Sequence, residues 1–190
     1  MAPLSFWTAA ILGLVSSAVA QCGSGSPQGT VTGNSGAYVA TAGGRQVYSG
    51  SNYLTAITTA LNSISSGQRV SVIASGSIGA NSIFVPSGKT FEGCGTIDAT
   101  LHSGRGAIES YNTRGASIPY LKLTGSPYFG MRFYGTKGLK LGTITMNLSS
   151  GLGIRFERDK AGSTDVTMGT ISVGHPCPHQ TPNSIVHKPS

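Results

Sequence analysis

The chain is short of charge, and of acid most of all. Asp, Glu, Lys and Arg make up 10% of its 190 residues, and only six of them are acidic. Helical bundles draw heavily on Lys, Glu and Leu, so this composition argues against one. Tryptophan occurs once, as Trp7, and cysteine three times, as Cys22, Cys94 and Cys177. Long apolar runs are confined to the opening "MAPLSFWTAAILGLVSSAVA", and that run is short for a membrane span of ~20 apolar residues. No glycine-rich phosphate-binding motif is found.

The first twenty residues carry no charged side chain, have a long apolar centre and end in the small residues Ala18-Val19-Ala20. They predict a secretory signal peptide over residues 1–20, removed before Gln21. The remainder is rich in glycine, with 28 in the full chain, and its Gly, Ser, Val and Ile suit many short strands joined by tight turns. The net charge of +7 draws acidic partners such as polyuronides, or serves solubility alone. In an oxidising compartment two cysteines pair. Cys22 and Cys94, both in well-patterned sequence, are the expected pair, contributing roughly 4 kcal/mol on a chain-entropy account, with Cys177 left over. Asn147-Leu148-Ser149 is a glycosylation sequon and predicts a surface position.

Residues 21–49 read as an irregular segment of strands and loops. In "GSNYLTAITTALNSISSGQ", Leu54, Ile57, Leu61 and Ile64 fall on one helical face. Ser51 is the expected cap and Gly67 the stop, giving a helix over 51–66. Beyond it the period becomes that of strands, in 69–79, 82–99 and 116–125. "SPYFGMRFYG" (126–135) then recurs 23 residues later as "SSGLGIRFER" (149–158), matching Arg132 with Arg155 and Phe133 with Phe156. At the same offset Ile118, Leu121 and Leu123 align with Leu141, Ile144 and Met146, and 27 residues on with Met168, Ile171 and Val173. A helix-free unit repeated every 23–27 residues predicts an all-β fold, a parallel β-helix (solenoid) whose first coil the N-terminal α-helix caps. An antiparallel sandwich is the alternative, but hairpins require no fixed register between distant strands.

The helix with "AITTAL", the strand and turn "VPSGKTFEGCGTI" and coils such as "IPYLKLTGSPYFGMRFYG" resemble the secreted right-handed β-helix proteins of the pectin-lyase-like superfamily, fungal extracellular members above all. The resemblance covers about residues 50–174. It implies a right-handed solenoid over 50–174 and a shallow groove along one sheet that holds extracellular, acidic wall polysaccharide. The implied protein is a monomer that engages neither nucleic acid nor, once the signal is cleaved, a membrane. The tail 175–190, "HPCPHQTPNSIVHKPS", departs from the coil pattern and is expected to be divergent and disordered, as in a C-terminally truncated member. Its His175, Cys177 and His179 match no strong zinc spacing.

Superfamily members include polysaccharide lyases, hydrolases and chains without known activity. Hydrolysis needs two carboxyl groups roughly 5–10 Å apart. The polygalacturonase-type motifs are missing, and Glu157 with Asp159 is the candidate pair, beside Arg158 as a candidate base. A lyase would add Ca²⁺, which wants six to eight oxygens, and only Glu157, Asp159 and Asp165 cluster in sequence. No other metal or cofactor is expected. Arg132 and Arg155, flanked by apolar neighbours, point away from the core on an alternating strand. They form either an anion-binding ridge or a ladder paired with Glu157 or Asp159. Tyr128 and Tyr134 are the expected partly exposed aromatics for sugar contact, with Phe133 and Phe156 inside. Catalysis, sugar binding without catalysis and a structural role in the wall all remain open from these residues.

Overall fold

The computed structural model describes residues 22–157 and 159–175. The predicted signal peptide, Arg158, Cys177, His179 and the rest of the tail beyond His175 lie outside the described residues. The chain forms a mostly β structure, a parallel solenoid of about five turns with one short helix near its N-terminal end.

Each coil contributes a strand to two sheets. In the first sheet, β4 (Arg69–Val72) and β5 (Gly76–Ser77) pair with β7 (Thr90–Ala99), followed by β9 (Ser117–Gly125), β11 (Lys140–Leu148) and then β13 (Thr167–Met168) with β14 (Ile171–Gly174). The second sheet stacks β6 (Ile83–Phe84), β8 (Gly106–Tyr111), β10 (Phe129–Tyr134) and β12 (Leu152–Phe156). All of these pairings are parallel. Ile118, Leu141 and Met168 share one rung, and Leu123, Met146 and Val173 another. Phe133 pairs with Phe156, and their ring centroids are 5.4 Å apart. The 23-residue offset is therefore one turn of the coil, and the inward ladders it aligns make the core. Phe91, Ile97, Ile108, Ile118, Met131, Phe133 and Leu139 are fully buried in it.

One corner of the coil depends on left-handed backbone. Gly88, Gly115, Gly138 and Asp165 have φ of 68°, 65°, 70° and 54°. The amide of each glycine donates to the carbonyl of the neighbouring coil, Gly88 to Arg114, Gly115 to Lys137 and Gly138 to Thr164. Glycine takes this conformation without penalty, and Asp is among the few other residues that tolerate it. This stacked corner holds the residues just before it, Arg114, Lys137 and Thr164, in successive rungs.

The helix α1 runs over Tyr53–Ser63. Asn52, rather than Ser51, caps it: its side chain accepts from the Thr55 amide at 2.8 Å. Its C-cap is Ile64 rather than a residue at Gly67, whose φ of +81° serves the turn beyond. The buried face comprises Tyr53, Ala56, Ile57, Ala60 and Leu61, wider than the spacing of large apolar residues indicates because two alanines pack in it. The Lys89 ammonium donates to the Leu61 carbonyl at 2.7 Å, satisfying a helix-end acceptor.

Residues 29–50 form regular structure. The strands β1 (Gly29–Asn34), β2 (Ala37–Ala42) and β3 (Arg45–Gly50) make an antiparallel meander, and β1 pairs in parallel with β4. The meander thus continues the first sheet beyond the first coil. A disulfide joins Cys22 to Cys94 across a separation of 72 residues. Beside it the buried Glu92 accepts from Arg69 at 3.1 Å and from the Ser71 hydroxyl, while Arg69 also donates to the Ser24 carbonyl.

Candidate functional site

Among the described residues, the largest connected set of charged side chains lies on the outer side of the second sheet. In β8, β10 and β12, alternation turns Met131 and Phe133 inward, so Arg132 faces outward, with Glu109 and Arg155 in its rung. Glu109 is buried, accepting from Arg105 through Nε and Nη2, from the Gly106 amide at 2.9 Å and from Arg132 at 3.3 Å. Arg132 also donates to Glu157 at 2.7 Å, and Arg155 reaches the same carboxylate at 3.3 Å. Three arginines and two glutamates therefore alternate across the coils.

This wiring biases the protonation of Glu157, Arg132 and Arg105 toward the charged forms. The hydrogen bond from Arg132 holds the Glu157 carboxyl below its ordinary value against the opposing effect of burial, with help from Arg155. Burial disfavours the charge on Arg132, but the hydrogen bonds to Glu157 and Glu109 outweigh it and raise its pKa. The bond to Glu109 likewise raises that of Arg105.

A row of aromatic rings runs beside the charges. Phe84 and Tyr111 lie 4.7 Å apart between centroids, and Tyr111 and Tyr134 lie 4.9 Å apart with planes only 4° from parallel. The Arg132 guanidinium sits 5.2 Å from the Tyr134 ring centre. The tyrosine faces are thus turned to each other and to a cation. Tyr134 is half-buried, whereas Tyr128 is exposed and meets Phe129 edge-on at 4.7 Å.

The residues singled out from sequence fall as follows. Glu157 belongs to the charge ladder. Asp159 is exposed in a bend beyond the end of β12, so the alternation of a strand does not relate the two carboxylates. Arg158 lies outside the described residues. Arg132 and Arg155 are adjacent in register, with Glu109 and Glu157 as their counter-charges. Tyr128 and Tyr134 occupy different places, one on the turn before β10 and one at its end. Asn147 is exposed on β11. Sequence reading missed Arg105, Glu109, Tyr111 and Phe84 as members of this face. A signal existed: "ESYNTRG" (109–115) aligns with "RFYGTKG" (132–138) at the same 23-residue offset.

Metal-ligand chemistry is grouped, among the described residues, only at Cys22, Cys94 and Glu92. Both sulfurs there are spent in the disulfide, so they offer no thiolate. Glu157, Asp159 and Asp165 are not drawn into such a group among the described residues. A hollow at the N-terminal end is lined by Tyr38, Asn52, Tyr53, Ser77 and Asn81. There the Tyr53 hydroxyl donates to the Ala74 carbonyl at 2.7 Å, and burial followed by the proximity of Tyr38 raises its pKa, which marks a structural phenol.

No family model, curated protein or solved structure matches the chain. Fold and site together define a parallel β-solenoid with a charged and aromatic outer face.

Proposed function

We propose that this protein is a secreted, non-catalytic binder of extended extracellular polysaccharide, of pectin-lyase-like type, and that the outer face of the second sheet receives the sugar chain. The observation that carries this reading is the alignment of charged and aromatic rows along the solenoid axis, one rung per coil. A repeating polymer lying along the axis meets a repeating set of hydroxyls and guanidinium groups. Tyr128 offers an open ring, and Tyr111 with Tyr134 offers edges and hydroxyls.

Within the ladder, the shifted groups favour binding over cleavage. A general acid needs a carboxyl with a raised pKa, and that of Glu157 is lowered. An arginine acting as base must lose its proton, and the pKa values of Arg105 and Arg132 are raised. Secretion accords with the disulfide, since such bonds persist in oxidising compartments.

Affinity electrophoresis against a panel of neutral and acidic wall polysaccharides tests the reading, run beside assays for unsaturated products and for new reducing ends. Retardation without either product is expected. Absence of retardation across the panel, or the appearance of either product, overturns it.

A further inference from the structure

The arginines of the ladder are already engaged by carboxylates, so they are poor candidates for holding the charge of an acidic ligand. A different pair is not. Arg114 and Lys137 occupy adjacent rungs of the corner that follows β8 and β10, and with Asn112, Thr113 and Gly135 they line a hollow. This hollow lies just past Tyr111 and Tyr134, at the edge of the aromatic row.

Neighbouring rungs of a parallel ladder are about 5 Å apart, so two cations here repel each other unless anions intervene. Among the described residues no carboxylate lies within ion-pairing distance of Arg114, and Lys137 has only Asp165, at 4.0 Å. Both members of that pair are well exposed, with side-chain exposures of 60% and 66%, and such pairs contribute little. Asn112 contributes an uncommon backbone, with φ of 53°. Its Oδ1 lies against Gly135, where an added Cβ would come within 2.4 Å of it. In the rung that separates the tyrosines from the cations, Gly135 therefore allows the Asn112 side chain to approach closely.

We infer that the Arg114–Lys137 hollow is an oxyanion subsite, which receives successive negatively charged substituents, carboxylate or sulfate, of a polysaccharide running along the axis. The inference rests on the polysaccharide reading above and deepens it by naming the residues that take the ligand's charge. A guanidinium takes an oxyanion bidentately, and the ammonium beside it takes the next as a point charge. Asp165 is the intramolecular competitor for Lys137.

The test uses the full chain, its Arg114→Ala/Lys137→Ala variant and an Asp165→Asn variant, titrated with polygalacturonate, a sulfated galactan and a neutral glucan. Both altered cations are exposed, so folding is expected to be unaffected, which circular dichroism checks. The double substitution is expected to weaken the acidic polymers by at least roughly tenfold, to leave the neutral glucan unchanged, and to flatten the dependence on salt. Asp165→Asn is expected to tighten the acidic polymers severalfold. Whether polygalacturonate or the sulfated galactan loses more identifies the oxyanion. Acidic polymers bound equally by wild type and double variant overturn the subsite while leaving polysaccharide binding standing. A wild-type chain that binds none of the three polymers overturns both.

Discussion

The two ends of the solenoid follow the same register and reach different degrees of burial. At the N-terminal end, α1 and the meander lie over the first coils, and Val70, Val72 and Phe91 are wholly buried. The disulfide and the contacts among Arg69, Glu92 and Ser24 fasten the chain's start to this end. At the other end the inward ladder continues into β12, β13 and β14, yet Ile154 in β12 is only partly buried, and Met168 and Val173 are 54% and 43% exposed. Phe133 is buried and its rung partner Phe156 only partly so. In a stack of coils, an inward residue is buried by the rungs on both sides of it. Register alone therefore does not set burial, because stability is a sum over neighbours in one dimension.

Phe133→Ala should break this comparison most severely. It deletes a fully buried ring between two coils, a change that costs about 3–5 kcal/mol. Phe156→Ala removes the same group from a partly covered rung and should cost less than half as much in urea denaturation. Equal losses would mean that the last coil is packed as tightly as the middle ones. Removing the bridge with Cys22→Ser/Cys94→Ser should cost up to about 4 kcal/mol, the chain-entropy value for a loop of this length. Hydrogen exchange should show the loss of protection greatest in β1 and β4 and least in β12.

The inward ladders were legible because chemically similar residues repeat there: Ile118, Leu141 and Met168 are all apolar, and an offset search finds likeness. The outer face was harder to read because adjacent rungs carry complements. Glu109 and Arg132 share a rung as opposite charges, so matching by identity passes over the pair. Tyr111 and Tyr134 do match, as do Thr113 with Thr136 and Gly115 with Gly138, but Glu109/Arg132, Ser110/Phe133 and Asn112/Gly135 break the run between them. The meander was hidden for another reason. Its hairpins depend on Gly36 and on Gly43-Gly44, all at positive φ, and a Gly-Gly pair between two short strands is a hairpin signal that is diluted in so glycine-rich a chain. The extra width of the buried face of α1 came from alanines, which carry little weight in an apolar pattern.

The smallest expected effect concerns the last coil's tie to the one before it. Glu157 follows β12 and reaches back to Arg132, so its carboxylate links the exposed end to the covered interior. Its folded pKa lies below the ordinary value of 4.5. A carboxyl depressed by folding contributes stability that is fully present above its unfolded pKa and is lost as the pH falls through the folded one. The link should therefore hold at neutral pH and weaken progressively below about pH 4.5. Glu157→Gln keeps the shape and removes the charge. It should cost on the order of 1 kcal/mol at pH 7 and progressively less as the pH falls, so that thermal midpoints of wild type and variant converge in acid. A gap that stays constant from pH 7 to pH 3 would show that Glu157 is held by shape, and that the charge ladder does not fasten the open end.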